Sequence, residues 1–445
     1  MQITAGTLER DLRTDTKRLL DRLTNPLCGL DQGIGFILRG RADPRFVVAG
    51  GQLTGVHLLL NRREPGSYHI GGGGITTDEA MIKTLAESIE RYCQLVAART
   101  GAHTIRMATR DEMLAEGERV LEPERLRLFA ADQYESEGFL FQPFALDEPL
   151  GWVEMRSAVD EGRLWVPAQL AFVGYVLGNG ERALAPGVTT GTAAHTSPTL
   201  ARRNALLELV QIDAVMGHWY TDAVAPEVIL DTRCAPVERL IEKLFRRAAA
   251  VPSFYWLESP DLPTAVIACV MRKRNAGLPA ISVGMGSDFD VARAIYKALA
   301  EAIGVMHLAK VGLVNEALQR TRTEDPDPAQ IFDLDSNVTY HAEHGEYIDR
   351  KFGRTDPRPA SELPHEPGLA ADEEVKTIIE AFRDGGKDVL ELDLTTDDVR
   401  DLGFRVARMW SPDTLALSLP SAPPVCHPRF DDYGGASHRH PHPYP

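Results

Sequence analysis

The sequence predicts an α+β fold (mixed α/β), in which mixed sheets are covered by helices. Two observations favour this class. Apolar, β-branched segments such as "TAVIACVMR" and "AISVGMGS" have the composition of strands. Segments beginning at Thr76, Ser197 and Asp290 have the apolar periodicity of helices. Both types occur along the whole chain without a dividing linker, so we expect a helix over residues 1–21 followed by one domain over residues 22–445.

The other elements follow from local composition. Strands are predicted for "GIGFILRG", "RFVVAGGQLTGVHLLL", "LWVPAQLAFVGYVL", "EVILD", "DVLELDLT" and "FRVARMWS", because these segments are rich in β-branched and aromatic residues. The segment "APVERLIEKLFRRAAAV" predicts a further amphipathic helix. A proline-rich tail occupies residues 420–445.

Charge and composition exclude several classes of protein. The chain has 48 basic and 64 acidic residues and a net charge of -16, which argues against coating of nucleic acid or of an anionic membrane. The amphipathic, charged N-terminus does not resemble a signal peptide. The five cysteines are scattered and form no CxxC motif, so we expect a reduced, cytoplasmic protein without a structural zinc site.

Three of the predicted helices follow one pattern. Each begins with a side chain that can accept a hydrogen bond from a free backbone N–H at the helix start. After this cap, alanine follows at four residues, a polar residue at seven, and glutamate at eleven. In chain order the caps are Thr76, Ser197 and Asp290, the alanines Ala80, Ala201 and Ala294, the polar residues Lys83, Asn204 and Lys297, and the glutamates Glu87, Glu208 and Glu301.

The shared pattern places a narrow polar stripe on each helix. Offsets of seven, eleven and fourteen residues lie on one helical face, and the third position is Glu90, Gln211 or Gly304. Apolar residues border each stripe, which suggests carboxylates that point inward as oxygen ligands for Mg²⁺. The alternative is an ordinary surface pair such as Glu87 with Arg91, four residues apart. The threefold repetition favours the first interpretation.

These motifs resemble those of the YcaO family of ATP-dependent enzymes. "GGGGITTDEAMIKTLAESIERY" is similar to the first nucleotide motif of that family, and "GTAAHTSPTLARRNALLELVQIDA" is similar to the second. The resemblance extends over nearly the whole chain and implies a YcaO-like fold. No P-loop motif is present, so an acidic protein that binds ATP must neutralise the phosphates through metal ions.

The resemblance also implies roles for individual residues. Lys83 stands where the first motif usually has serine, and Gly304 stands where the third usually has a polar side chain. Lys83 could contact a phosphate or could obstruct the usual geometry. The implied Mg²⁺ ligands are Glu87, Glu90, Glu208 and Glu301, and the implied ATP-binding residues are Lys83, Arg91, Ser197, Asn204 and Gln211.

The chain ends in "PHPYP", in which alternate prolines favour an extended polyproline II segment. A PxPxP ending resembles that of azoline-forming cyclodehydratases, and this implies that the Pro445 carboxylate lies in the active site and assists proton transfer. Two alternatives remain open: a disordered tail, and binding of a transition metal by His438, His440 and His442.

By resemblance, the expected activity is conversion of Cys, Ser or Thr in a ribosomal precursor peptide to thiazoline or oxazoline. The expected cofactors are ATP and Mg²⁺. The expected partners are the precursor peptide, a leader-binding protein related to ubiquitin-activating enzymes, a flavin dehydrogenase, and a second copy of the chain within a complex. The alternatives are formation of thioamides or amidines, or a catalytically weak scaffold subunit.

Overall fold

The computed structural model describes residues 16–59, 69–275, 277–319, 327, 331–353, 356–366 and 368–444. Four sheets form the framework of these residues. The sheets have the strand orders β1-β2-β3, β11-β10-β9, β12-β8 and β4-β5-β13-β14-β7, with β6 paired to β5. All pairs are antiparallel except β12 with β8. The strands are β1 Gly35–Phe36, β2 Val47–Gln52, β3 His69–Gly74, β4 Ile105–Ala108, β5 Leu150–Ser157, β6 Arg163–Pro167, β7 Thr192–His195, β8 Val228–Ile229, β9 Ala250–Trp256, β10 Ala265–Lys273, β11 Ile281–Asp288, β12 Arg358–Pro359, β13 Leu390–Asp393 and β14 Arg405–Trp410.

Helices cover these sheets, and the three longest are those with the shared sequence pattern. The described helices are α1 (residues 16–23), α2 Val56–Leu59, α3 Thr77–Val96, α4 Arg110–Ala115, α5 Ala131–Tyr134, α6 Ala168–Ala171, α7 Pro198–Tyr220, α8 Ala235–Phe245, α9 Val291–Gln319, α10 Leu334–Glu343, α11 Glu346–Lys351, α12 Ala371–Asp384 and α13 Asp397–Asp401. Helices and mostly antiparallel sheets mixed in this way confirm the predicted α+β class.

Two of the strand predictions were wrong in part. The end of "RFVVAGGQLTGVHLLL" forms the helical turn α2, and "LWVPAQLAFVGYVL" leaves strand β6 to form the short helix α6. The helical part of each segment has only four residues, too few for periodicity to distinguish a strand from a helical turn. Of the predicted N-terminal helix, residues 1–15 lie outside the described residues, and Leu23 in α1 is buried against the core.

The three patterned helices each pack on the strand that precedes them: α3 on β3, α7 on β7, and α9 on β11. The predicted caps are confirmed, since the Thr76, Ser197 and Asp290 side chains accept backbone N–H groups at 3.2, 3.4 and 2.9 Å. The alanines four residues after the caps are completely buried. Each strand and its helix therefore form one repeated strand–helix unit.

Small residues bring strand and helix backbones together within a unit. A Cβ on Gly286 of β11 would lie 2.6 Å from the backbone nitrogen of Ala298 in α9. In the first unit, a Cβ on Gly72 of β3 would lie 2.6 Å from the backbone nitrogen of Thr84 in α3. Both glycines lie four residues before the cap of their unit, so the close approach is a repeated feature.

Helix α9, with 29 residues, is the one described helix that is long and apolar enough to cross a membrane by length and composition alone. It packs on β11, β10 and α10, and residues such as Ala298 and Ala302 are completely buried. This composition is also that of a helix inside a protein core.

We predict that Gly286→Ala destabilises the fold by about 1–3 kcal/mol, because the added methyl group overpacks the contact between β11 and α9. The matched control is Gly304→Ala in α9, where a Cβ meets no atom within 4 Å. The free energy of unfolding of that control should rise by about 0.5–1 kcal/mol, since glycine destabilises a helix interior relative to alanine. Urea unfolding measures both changes. A Gly286→Ala protein as stable as the parent would contradict the close packing.

Candidate active site

The glutamates of the three strand–helix units face one another in an acidic cluster, which comprises Glu87, Glu90, Glu208 and Glu301. Burial raises the pKa of Glu90 well above its ordinary value, and the charges of Glu208 and Glu87 raise it further. Burial raises the pKa of Glu301 to about 8, again with contributions from Glu208 and Glu87. Effects of this kind act between neighbouring charges, so the four carboxylates lie within range of one another's charge.

Each unit fixes its glutamate in the same way. The Glu87 carboxylate accepts a hydrogen bond of 3.0 Å from the backbone N–H of Gly71 in β3. The backbone of Thr192 in β7 makes the corresponding interaction with Glu208, and the backbone of Met285 in β11 makes it with Glu301. In all three units the strand residue lies 16 positions before the glutamate. The repetition in sequence is therefore also a repetition of contacts.

The acidic cluster is open to solvent on one side. All four side chains are partly exposed, and that of Glu87 is 29% exposed. Burial raises the pKa of Glu208 to about 7, against opposing effects of Arg91 and Arg408. The surrounding protein therefore displaces much of the water from the carboxylates, while part of each side chain stays accessible.

Two arginines compensate the acidic cluster. Arg91 in α3 lies 3.5 Å from the Glu87 carboxylate. Arg408 in β14 is 1% exposed and donates hydrogen bonds to the carbonyl of Thr190 at 2.7 Å and the carbonyl of Leu170 at 3.1 Å. Burial lowers the pKa of Arg408 to about 10, opposed by the charges of Glu208 and Glu90.

Arg408 was not found by sequence reasoning. An arginine within an apolar strand, "FRVARMWS", is a signal that could have found it, because a charged side chain in a buried strand requires a partner. The partner charges lie on α3 and α7, far away in sequence, so the sequence alone does not identify them.

Lys83 and Lys297 each lie seven residues after the cap of their helix, and their hydrogen bonds hold that helix against the preceding strand. The Lys83 ammonium group donates to the carbonyl of Gly73 at 2.9 Å and to Glu79 at 2.8 Å. The Lys297 ammonium group donates to the carbonyl of Ser287 and to Asp288, both at 2.8 Å. Each lysine thus binds the carbonyl three residues before the cap of its unit, and Lys83 is turned toward the strand end.

The second helix has Asn204 at this position, and its side-chain oxygen accepts a hydrogen bond from Arg203 at 3.3 Å. Arg203 is buried and also binds Asp288 at 3.2 Å and Glu374. Together with Lys297, which also binds Asp288, this network joins α7, β11, α9 and α12. Of the remaining predicted ATP-binding residues, Ser197 caps α7, and Gln211 lies partly buried three residues after Glu208.

The proline-rich tail is docked, so the alternative of a disordered tail was wrong for residues 436–444. The backbone of Ser437 donates to the carbonyl of Tyr220 at 2.8 Å, and the Trp219 indole donates to the carbonyl of His440 at 2.9 Å. Asn337 in α10 donates to the carbonyl of His442 at 2.7 Å. Pro445 lies outside the described residues.

The tail histidines make contacts with the protein itself. The Nδ1 atoms of His438 and His442 accept hydrogen bonds from backbone N–H groups two residues later, at 3.2 and 3.3 Å. Among the described residues, no three His, Cys, Asp or Glu side chains converge as a ready metal site. The histidines therefore serve the docking of the tail in this structure.

The donor set of the acidic cluster fits Mg²⁺. All four groups are carboxylates, the hard oxygen ligands that this ion prefers. Their mutual repulsion shows an excess of negative charge that a divalent cation would relieve. Mg²⁺ commonly takes only one or two carboxylates and completes its shell with water and phosphate oxygens. Among the described residues, no three acidic side chains form a group that could hold a metal ion by themselves, so water and phosphate oxygens would have to complete the shell of a Mg²⁺ ion bound here.

Comparison with known protein families identifies the family of this chain. Residues 71–415, which contain the whole acidic cluster, match the model of the YcaO cyclodehydratases, a family described as binding ATP and Mg²⁺. The chain belongs to the YcaO family. ATP and Mg²⁺ are therefore its cofactors. A search of curated proteins by sequence finds no match.

Solved structures with the same fold include enzymes that form heterocycles. A heterocyclase in complex with substrate and cofactor has a TM-score of 0.69 and 20% identity, covering 90% of this chain and 52% of that one. This chain thus spans about half the length of that heterocyclase. YcaO from Methanopyrus kandleri, bound with AMPPCP and Mg²⁺, has a TM-score of 0.62 and 18% identity, covering 91% and 90%. The E. coli microcin synthetase McbBCD complex with pro-MccB17 bound has a TM-score of 0.59 and 12% identity, covering 95% and 99%.

We predict that Arg408→Met lowers stability by about 3–5 kcal/mol, because removing one member of a buried charge network leaves the others uncompensated. Part of this loss of stability comes from repulsion among the glutamates. Added Mg²⁺ with a nucleotide should therefore stabilise this YcaO variant more than it stabilises the parent. Unfolding in urea with and without Mg²⁺ and AMPPCP measures the difference.

The control for this experiment is Arg163→Met. The Arg163 side chain is 73% exposed and pairs with Glu154 on the surface, so its removal should change little. An Arg408→Met protein that gains no more from Mg²⁺ and nucleotide than the parent would show that Arg408 does not compensate the cluster.

Proposed function

We propose that this YcaO protein is an ATP- and Mg²⁺-dependent peptide cyclodehydratase, which converts Cys, Ser or Thr of a precursor peptide to thiazoline or oxazoline. The observation that carries the proposal is the acidic cluster formed by three equivalent strand–helix units, with the docked C-terminal tail beside it. The family description and the heterocyclases of the same fold support it.

The proposed residue roles follow the geometry of the cluster. Glu87, Glu90, Glu208 and Glu301 hold Mg²⁺, whose contribution when bound is to neutralise phosphate charge. Arg91 lies beside Glu87 and is suited to a phosphate oxygen, because a guanidinium group donates two parallel hydrogen bonds. Ser197, Asn204, Gln211 and Lys83 are assigned to the nucleotide as well. Without a nucleotide, the Lys83 ammonium group holds α3 against β3 through its hydrogen bonds to Gly73 and Glu79. A phosphate would compete with these two acceptors for the ammonium group.

The reaction proceeds in steps that these groups can support. The substrate thiol or hydroxyl adds to the preceding amide carbon, and the amide oxygen, now anionic, attacks the γ-phosphorus of ATP and displaces ADP. Loss of the amide proton then expels phosphate and leaves the C=N bond of the azoline ring. We assign the carboxylate of Pro445 as the base for proton transfer, since a free α-carboxylate is ionised at neutral pH.

A partner protein is part of the proposal. The similar microcin synthetase McbBCD is a complex with a bound peptide. We infer that the present protein likewise receives its precursor through a leader-binding partner related to ubiquitin-activating enzymes. Oxidation of azolines by a flavin dehydrogenase would follow as a separate step.

The direct test incubates the protein with its partner, a candidate precursor peptide, ATP and Mg²⁺, followed by mass spectrometry. The expected product is lighter than the precursor peptide by the mass of one water for each ring formed. This decrease in peptide mass should require both ATP and Mg²⁺. Replacement of oxygen by sulfur in the presence of sulfide would show thioamide formation instead. Peptide-independent binding of nucleotide with no change of peptide mass would favour a scaffold subunit.

We predict that Glu208→Gln weakens Mg²⁺-dependent binding of AMPPCP by about 10-fold to 100-fold, the range observed when a group that supports a metal site is lost. The amide keeps the size of the side chain and an oxygen for the Thr192 N–H, so the fold should persist. Isothermal titration calorimetry measures affinity, and circular dichroism checks the fold. Glu380→Gln is the control, since Glu380 is a surface residue that pairs only loosely with Lys376, at 3.6 Å. Equal affinity of Glu208→Gln and the parent would remove Glu208 from the metal site.

A further inference from the structure

Gly304 leaves a space beside the acidic cluster. It lies fourteen residues after the cap of the third strand–helix unit and three residues after Glu301, so both residues lie on one face of α9. The first two units carry polar side chains at the same position, Glu90 and Gln211. At Gly304, a Cβ would meet no atom of the described residues within 4 Å. The third unit therefore leaves open a volume that side chains occupy in the other two.

Neither helix stability nor packing explains this glycine. Gly304 lies in the middle of α9, where glycine destabilises a helix relative to alanine. Gly312, the other glycine of α9, is required by packing, because a Cβ there would lie 2.1 Å from the hydroxyl oxygen of Thr339 in α10. No such contact restricts Gly304 in the part of the chain that the structure describes. What Gly304 provides is therefore the space itself.

This space lies next to the helix that holds the end of the tail. Val305, the residue after Gly304, belongs to one apolar cluster with Val338 of α10. The neighbouring Asn337 is buried and donates a hydrogen bond to the carbonyl of Tyr444 at 3.4 Å. The space at Gly304 is therefore adjacent both to the acidic cluster and to the helix that fixes the tail end.

Beyond Gly304, the same face of α9 is apolar and accessible. Val311 and Leu318 follow at intervals of seven residues, and they are 44% and 77% exposed. The one Lys or Arg side chain in α9 after Gly304 is Lys310, which pairs with Asp43. A triphosphate along this face would thus find no unpaired lysine or arginine of α9, whereas an extended peptide would find apolar contacts over about 21 Å.

We propose that the precursor peptide lies along this face of α9, with its reacting residue in the space at Gly304. We name this surface, formed by Gly304, Val311 and Leu318, the peptide face. The placement rests on the proposed function, in which the reacting amide must meet both the nucleotide at the acidic cluster and the carboxylate of Pro445. The peptide face begins at the position adjacent to both, so Gly304 determines how much room the reacting residue has.

The first test is Gly304→Leu, which fills the space. With the partner protein present, we expect kcat/KM for the peptide to fall by about 100-fold, the effect of displacing reacting groups by about 1 Å. Affinity for AMPPCP with Mg²⁺, measured by calorimetry, should be unchanged because the carboxylates are untouched. The thermal unfolding midpoint should be unchanged or higher, since leucine favours a helix more than glycine does. These two readouts separate loss of peptide binding from unfolding.

Ala317→Leu is the matched control for Gly304→Leu. Ala317 is exposed and lies on the side of α9 away from the peptide face. Leucine at this position adds the same side chain to the same helix, so kcat/KM for the peptide should stay unchanged.

The second test is Val311→Ser, which removes an apolar contact without filling any space. We expect KM for the peptide to rise by about 10-fold, the loss for an apolar side chain of this size. The value of kcat should be unchanged, because Val311 contacts the peptide equally before and during the reaction. A peptide too short to extend from Gly304 to Val311 should be insensitive to this substitution.

Unchanged kcat/KM in Gly304→Leu overturns the proposal, and so does unchanged KM in Val311→Ser. Weaker AMPPCP binding by Gly304→Leu at unchanged peptide KM also overturns it, since the nucleotide would then occupy the space. If the parent modifies no peptide, the proposed function fails on its own, and fluorescence anisotropy with a labelled precursor peptide decides about the peptide face. Weaker peptide binding by Gly304→Leu than by the parent then supports the peptide face, and equal binding counts against it.

Discussion

The candidate site depends on one relation that occurs three times, in which the backbone of a strand residue interacts with the carboxylate of a glutamate 16 residues later on the following helix, as in the hydrogen bond of 3.0 Å from Gly71 to Glu87. In the first and third units, glycines let the helix lie directly on its strand, and in all three the cap fixes where the helix begins. Because the three units are built alike, their glutamates arrive at equivalent positions and can meet at one place. The acidic cluster is thus a consequence of repeated local geometry.

Bringing four carboxylates together is unfavourable in the absence of a cation, since burial and mutual repulsion both disfavour ionisation. The protein offsets part of this cost with Arg91 at the edge of the cluster and Arg408 behind it. Arg408 is itself held by carbonyl groups rather than by a carboxylate in direct contact. Its charge therefore acts on Glu90 and Glu208 without a hydrogen bond to either carboxylate.

The tail adds what the three units do not contain. Residues 436–444 are bound by α7 and α10 through backbone hydrogen bonds and aromatic contacts, and proline restricts the conformations that are lost on docking. An end of the chain that is held so firmly can present chemical groups to a site as reliably as a helix or strand does.

By itself, the sequence determined the α+β class from the composition of its segments. It also determined the three caps and the helical face on which each glutamate lies, because these depend on spacing within a single helix. It did not identify short apolar runs as helical turns, such as α2 and α6, where periodicity has no room to appear. Only the tertiary structure decided that Glu87, Glu90, Glu208 and Glu301 share one cluster, that Arg408 balances it, and that Lys83 faces a strand carbonyl. These relations join residues that are distant along the chain, and long-range packing rather than local periodicity sets the distances between them.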